Sequence, residues 1–400
     1  MASDFQYGSA EKSQVEGKVA VLRMGNINRQ GQIDYGDLFY TSNDAEIAKY
    51  LLNKNDVLFN RTNSPEWVGK TAIYKGEIPA IYAGYIIRIR PHFNSDYLNY
   101  LMCSDYERNW SKEVKTDGVH QSNINAQKLI TFAIPLPPIA EQRIVAKIEE
   151  AFAEIDAIEK NKELLKTHIK QTRQKILDLA IHGKLVPQNK SDEPASVLLE
   201  RITRDNPHYE KLTDVPFEIP GFWAWVKLGD VCKPIKRGKS PKYIEQSNVL
   251  VFAQKCNQKD GPVSLEKALY LDESTLNKYP KEEFLQKGDV VINSTGTGTL
   301  GRVGYFNVDL PHNIKGIVPD SHVTTIRSVY VNPYYLYCFL KNKQTYLEEN
   351  GEGSTNQKEL KPHTIYDLEF PLPPLAEQKR IVNKIDEIFA SLDEISLHLV

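Results

Sequence analysis

The sequence predicts an α+β chain built as a twofold internal repeat. It has two similar globular domains, each leading into a long helix, and the two helices bury their apolar stripes against each other. Three observations carry this. The octapeptide PLPPIAEQ at 135–142 returns as PLPPLAEQ at 371–378, an offset of 236 residues, too long for a solenoid repeat and suited to a duplicated domain with its spacer. The residues after each copy repeat as well, Arg143-Ile144-Val145 matching Arg380-Ile381-Val382 once Lys379 is taken as an insertion. A seven-residue apolar pattern then runs down both segments.

The first domain spans 1–134. Strand-like runs at 19–22, 56–59, 71–74 and 83–89 are separated by Gly, Asn and Pro, and a helix is expected over 96–103. The first long helix occupies 135–183. Pro137 and Pro138 have no N–H to donate and fit before or at its first turn. Ile148, Ile155, Lys162, Ile169 and Ile176 take one seam position; Ala151, Ile158, Leu165, Thr172 and Leu179 take the other. Gly183 follows as a C-terminal cap, giving a helix about 65 Å long at ~1.5 Å per residue. A Pro-rich, charged connector fills 184–220, with a short helix expected near 195–202. The second domain spans 221–370. There 288–295 (GDVVINST) echoes 55–62 (NDVLFNRT), Gly301-Arg302-Val303 echoes Gly69-Lys70-Thr71, and 334–339 resembles 96–101. The second long helix, 371–400, carries Ile381, Ile385, Ile388, Leu392, Ile395 and Leu399 on its seam. Neither helix can bury such a stripe alone.

Composition narrows the function. Four hundred residues exceed one core, and 41% hydrophobic with 26% charged residues is ordinary for a globular protein. Nothing reads as a secretory signal or as a bilayer-spanning run, and Cys103, Cys232, Cys256 and Cys338 are scattered. A cytoplasmic protein with reduced thiols, and no membrane association, is expected. The net charge of −2 argues against binding polyanions over the whole surface, but leaves room for a local basic face.

No catalytic or metal site is expected. GxxxxGK[ST], HExxH and GxSxG are all missing, and His120, His312 and His322 have no partner at metal-ligand spacing. The run 296–301 fits GxGxxG after an apolar strand, but a second strand-like stretch follows where a dinucleotide site needs a helix. It reads as a polar hairpin loop.

What remains is polar and basic residues at matching places in the two domains. Tyr7, Ser9, Lys12, Arg23, Asn26, Arg61, Thr62 and Asn63 form the first set. Lys236, Arg237, Lys239, Gln254, Lys255, Ser294, Thr295, Thr297 and Arg302 form the second, and the loops before the octapeptides add His120, Gln121, Asn356 and Gln357. Lys and Arg neutralise phosphates, and Arg, Lys, Gln and Asn pair with purine edges in the major groove. Any one of them can equally be a solvated loop residue, and turn chemistry explains the pre-octapeptide loops as well as base reading does.

The repeated PLPP[IL]AEQ with the I-V-x-K-I that follows, LAIHGKLVPQ at 179–188 and WxWVKLGDV at 223–231 resemble the specificity subunit of type I restriction-modification enzymes. The resemblance covers essentially the whole chain. It implies a non-catalytic reader of double-stranded DNA in which two target recognition domains each bind half of a split site. Two helical spacers pack as an antiparallel coiled coil with pseudo-twofold symmetry and dock two methyltransferase subunits. A restriction and translocase subunit joins through them. S-adenosylmethionine, ATP and Mg then belong to the partners, and the chain holds no cofactor of its own. The helix is expected to act as a ruler for the spacer between half-sites, about one turn of DNA, ~34 Å. The second helix is some twenty residues shorter than the first and the first domain lacks a counterpart of most of 223–240, so trimmed ends, or self-association through the shortened helix, are expected. Two other readings stay open: an enzyme with an unrecognised pocket, and a coiled-coil scaffold or anti-restriction decoy that docks partners without reading sequence.

Overall fold

The computed structural model describes residues 2–119, 121–136, 141–206, 209–259, 262–353 and 358–399, and divides into two compact units, Met1–Lys160 and Asn161–Val400. Pro137, Pro138, His120, Asn356 and Gln357 lie outside the described residues.

The first unit runs β1 (Ala2–Tyr7), β2 (Val19–Leu22), β3 (Phe39–Thr41), α1 (Asp44–Tyr50), β4 (Val57–Asn60), β5 (Thr62–Asn63), β6 (Thr71–Ile73), β7 (Ala80–Tyr82), β8 (Ile86–Pro91), α2 (Ser95–Met102), α3 (Asp105–Val114), β9 (Thr116–Asp117), β10 (Ser122–Asn123), α4 (Ala126–Ile130) and the first half of α5 (Glu141–Ile181). An antiparallel sheet has the order β1-β8-β4-β6; a second, β3-β2-β7, contains the parallel pair β2–β7; a small third is β5-β10-β9. Asn43 caps α1 and Asn94 caps α2 through their side-chain oxygens.

The second unit holds the rest of α5, then α6 (Ala195–Asp205), β11 (Ala224–Lys227), α7 (Leu228–Val231), β12 (Cys232–Arg237), β13 (Tyr243–Ile244), β14 (Val249–Phe252), β15 (Leu269–Leu271), β16 (Asp289–Asn293), β17 (Val303–Phe306), β18 (Gly316–Pro319), β19 (Val323–Ser328), α8 (Pro333–Asn342), α9 (Gln344–Glu349), α10 (Pro362–Tyr366), β20 (Glu369–Leu372) and α11 (Leu375–Leu397). Its sheet β12-β19-β16-β17 reproduces β1-β8-β4-β6, and β15-β14-β18 of its second sheet reproduces β3-β2-β7 down to one parallel pair, β14–β18, with β13 added at the edge.

The repeat holds at single residues. A Cβ on Gly8 would lie 2.3 Å from the Tyr82 carbonyl oxygen, and one on Gly238 would lie 2.2 Å from that of Asp320. Ser9 and Lys239, which follow, each make an isolated parallel bridge, to Ala83 and Asp320. Buried Asp56 accepts from Arg90 Nε at 2.8 Å and buried Asp289 from Arg327 Nε at 2.7 Å; each Asp also accepts from a backbone N–H three residues earlier, Asn53 and Gln286. Tyr97 and Tyr335 each donate a hydroxyl to the first proline of an octapeptide, Pro135 and Pro371, at 2.5 and 3.1 Å. Gly183 ends α5 with φ +65°, and Lys184 N–H returns to the Leu179 carbonyl at 2.9 Å, the expected glycine cap.

The helices differ from expectation in how far the stripe is covered. In the second unit α5 and α11 meet: the Arg173 guanidinium lies 4.7 Å from the Phe389 ring centroid and pairs with Asp393 at 2.5 Å. Gln188, just past α5, meets Glu377 near the start of α11, so the two run antiparallel along this stretch. Ile169, Ile381 and Ile385 are buried there, Ile176, Ile388 and Leu392 half-buried. Leu165 is exposed, as is Ile395 in the last turns of α11. On the first half of α5 Ile148 is half-buried, while Ile155 and Ile158 are 49% and 67% exposed. The reason is reach. The last turns of α11 lie beside Arg173, and Leu165 is two turns further along α5.

Candidate nucleic-acid interface

In the first unit the polar set gathers around β5-β10-β9 and the start of the chain. Asn123 Nδ2 donates to Thr62 Oγ1 at 2.7 Å across the strand pair, and Asn63 accepts the Ser64 N–H at 2.8 Å. Arg61 donates Nε to the Gly84 carbonyl at 3.0 Å, and its guanidinium lies 4.8 Å from the Tyr7 ring centroid. Tyr7 remains exposed while its hydroxyl accepts the Ala126 N–H at 2.9 Å. Stacked on a ring and held by one bond, Arg61 presents its terminal nitrogens on a rigid mount suited to phosphate or a guanine edge. Lys12 and Gln121 are exposed.

Three members of this set hold their own loops. Ser9 is buried and donates to Glu46. Arg23 lies 3.6 Å from the Phe39 ring centroid and pairs with Asp37 at 3.0 Å. Buried Asn26 caps the turn beside it, accepting Arg23 N–H at 2.9 Å and donating to the Asp34 and Asp37 carbonyls at 2.9 and 3.0 Å.

In the second unit, 296–301 is a hairpin loop joining β16 to β17, with no helix after it. Gly296, Gly298 and Gly301 all have positive φ. Gln254 Nε2 donates to Thr295 Oγ1 at 2.9 Å, and Thr295 Oγ1 meets His322 Nδ1 at 2.7 Å. Arg302 donates to the Asn257 and Gly298 carbonyls at 2.9 and 3.2 Å. This network leaves Lys255 and Thr297 exposed at its rim. Ser294 is fully buried against Thr324. Lys236 and Lys239 converge on Glu283; burial works against that carboxylate, yet the two ammoniums hold its pKa below the usual value. Arg237 pairs with Glu359 and donates to the Ser321 carbonyl.

The two faces are thus equivalent in topology and different in side chains, as two readers of different sequence would be. A family model described as type I restriction modification DNA specificity domain matches the chain twice, over residues 8–167 and 220–397. The chain belongs to that family.

The specificity-domain chain is 27% identical over 368 residues to the putative type I restriction enzyme MjaX specificity subunit of Methanocaldococcus jannaschii, covering 89% of this chain and 77% of that one. It is 25% identical over 286 residues to the type I restriction enzyme EcoBI specificity subunit of Escherichia coli, covering 70% of this chain and 56% of the relative. The crystal structure of the HsdS subunit from Thermoanaerobacter tengcongensis shares the fold, with a TM-score of 0.57 and 18% identity, covering 96% of this chain and 85% of that one. The specificity-domain motifs that carry the resemblance meet in the second unit: Gln188 of LVPQ, Trp223 of WxW and Glu377 of the octapeptide share one hydrogen-bond node. The neighbouring Gln378 accepts the Asn332 N–H at 2.7 Å and donates to the Pro373 carbonyl at 2.9 Å, tying the start of α11 to the cap of α8.

Sequence reasoning singled out the loop that carries Asn123 but not its bond to Thr62, and it missed His322, Glu283 and Glu359 as partners that fix the candidate readers. Each lies 27 or more residues from the residue it holds. No local spacing announces such a pair.

Proposed function

We propose that this chain reads a split site in double-stranded DNA and performs no chemistry itself, each unit contacting one half. The observation that carries the reading is the duplication of one topology with different side chains on its polar loops, in a chain of the DNA specificity family. Arg61, Tyr7, Asn63, Lys12 and Gln121 are the first unit's contacts, while Thr62 is buried and holds Asn123; Lys255, Thr297 and the Gln254–Thr295–Arg302 network are the second's. On this reading the long helices dock two methyltransferase subunits, a restriction and translocase subunit joins through them, and helix length sets the spacer between half-sites. S-adenosylmethionine, ATP and Mg are the partners' cofactors, and the assembly works in the cytoplasm, where its DNA is. One solved relative, TM-score 0.56 and 19% identical, comes from a study of complex assembly in the type I R-M system.

The test is selection from random duplexes by the chain with its methyltransferase partner present. A two-part motif with a fixed gap supports the reader. Stable docking with no enrichment supports the scaffold or decoy instead.

A further inference from the structure

A cavity of about 380 Å³ opens in the first unit between the 65–71 loop and the exposed face of α3. Its size is that of a small-ligand site, about 300 Å³ or more. The wall carries five cationic side chains, Arg29, Lys70, Arg108, Lys112 and Lys115, against three carboxylates, Glu66, Asp105 and Glu107. Asp105 is paired with Arg108 at 3.1 Å, and Lys115 with Asp117 at 3.0 Å. Among the described residues, Arg29, Lys70 and Lys112 make no ion pair. Arg29 and Lys70 stand on the same ring, 4.1 and 4.9 Å from the Trp67 centroid. Lys70 Nζ donates to the Met24 and Ile27 carbonyls at 3.1 and 2.5 Å, which keeps a third donor free. Two neighbouring cations without an ion-pair partner form a site that an anion relieves.

Glu107 cancels that charge only in part near neutral pH. It is buried at the cavity floor, where Ser111 donates to it, and burial pushes its pKa up to about 7. Burial, then the charge of Arg29, lowers the pKa of Lys70, the mark of a cation lacking its counterion.

At the matching place the second unit is closed. A Cβ on Gly69 would meet Glu107 Oε1 and Ser111 Oγ, both at 2.7 Å, so α3 approaches the loop only through polar side chains. At the equivalent Gly301 a Cβ would meet the Glu348 backbone nitrogen at 2.5 Å, and Leu347 of α9 is fully buried. Arg302, the counterpart of Lys70, points instead at the Asn257 and Gly298 carbonyls. The second unit fills with a leucine and a closer helix the place that the first leaves open and positive.

We infer that this cavity binds a phosphate group, held by Lys70, Arg29 and the α3 cations Arg108 and Lys112. The phosphate is either free, as pyrophosphate or a nucleoside diphosphate, or a backbone phosphate of DNA. The second source rests on the proposed DNA reading; the first does not.

The test uses the full chain and the double variant Arg108→Gln/Lys112→Gln, both positions exposed on α3 and tolerant of change. A control variant, Lys49→Gln/Lys54→Gln, removes two exposed cations elsewhere in the first unit. Calorimetric titration with inorganic pyrophosphate and with ADP reads the free source. The salt dependence of binding to a non-specific duplex, with the methyltransferase partner present, reads the DNA source. Saturable pyrophosphate or ADP binding, weakened about tenfold by the double variant and unchanged by the control, assigns a free phosphate. No such binding, but a log K against log salt slope shallower by about 1 to 2 in the double variant alone, assigns backbone phosphates. If neither changes, or the control changes equally, the site is overturned. A split motif selected equally well by wild type and variant, with no pyrophosphate binding and an unchanged salt slope, removes the cavity and leaves the reader standing. Pyrophosphate binding without any enriched motif does the reverse.

Discussion

The Trp223 indole donates its N–H to the buried Glu377 carboxylate at 2.9 Å. Gln188 Nε2 donates to the other carboxylate oxygen at 2.6 Å. One turn on, Arg380 grips Asp192 through both guanidinium nitrogens, at 3.1 and 2.6 Å. The glutamate of the octapeptide therefore joins the connector after α5, the entry to β11 and the start of α11. Replacing Glu377 with Ala leaves the Trp223 indole N–H buried without an acceptor and releases the exposed Gln188 amide to solvent, at a cost of about 2 to 3 kcal/mol. Gln in its place keeps one acceptor and costs about 1 to 2 kcal/mol. Urea denaturation of the full chain checks both; equal stability of all three proteins would remove the node from the account of the fold.

That node shows what was legible. The octapeptide repeat, the hairpin at 296–301, the Gly183 cap and most of the expected strands stand out because each is written in contiguous residues. The function of the Glu-Gln pair was not legible, because its partners lie 46 to 189 residues away. β1 was equally hidden: ASDFQY holds no Val, Ile or Leu, and it becomes a strand by pairing with β8. Of the polar set, Arg23, Asn26 and Arg237 carry the residue types of a DNA face, but Asp37, the Asp34 carbonyl and Glu359 occupy them. Composition cannot separate a reader from a loop clamp.

The duplicated ion pair should weigh differently in the two units. The Asp289 side chain is 1% exposed and Arg327 18%, while Asp56 is 4% and Arg90 35%. Arg327 also donates to the Glu282 and Phe284 carbonyls, at 3.0 and 2.8 Å. Breaking a buried pair by deleting one partner costs about 3 to 5 kcal/mol, and solvent reduces that for the more exposed one. Asp289→Asn should therefore destabilise more than Asp56→Asn, by about 1 kcal/mol or more. Thermal or urea unfolding of the two variants ranks them, and the opposite order would contradict the burial argument.

Glu107 makes the first unit pH-sensitive. Burial raises its pKa from 4.5 to about 7, against the Ser111 hydroxyl and Arg108, which both favour the charged form. An acid whose folded-state pKa is raised prefers to fold protonated. Its contribution is fully present below about pH 4.5 and is lost as pH rises through about 7. At ~1.36 kcal/mol per unit the loss is about 3 kcal/mol at most. Glu107→Gln holds the neutral state at every pH. The stability difference, variant minus wild type, should grow between pH 4.5 and 7 and then level off. A flat difference from pH 5 to 8, read by urea denaturation, would show that Glu107 stays ionised.

A base-reading change in one unit should leave the other half-site untouched. The cores are separate: Leu58, Ile81 and Ile87 pack within the first unit, Val290, Phe339 and Phe370 within the second. Arg61 is mounted on the Tyr7 ring and the Gly84 carbonyl, both in the first unit. Arg61→Gln removes a charge and a bidentate donor while leaving those cores intact, so preference at one half of the motif should relax by about 1 to 3 kcal/mol. Lys255→Ala should weaken affinity through the second unit, with a smaller change in sequence preference if that side chain meets phosphate. Selection from random duplexes by each variant, with its partner subunits present, reads both halves at once. Relaxation confined to one half, with the gap unchanged, is the expected outcome. Changes at both halves from Arg61→Gln would mean that the units do not read independently, and the assignment of one half-site to each repeat would fall.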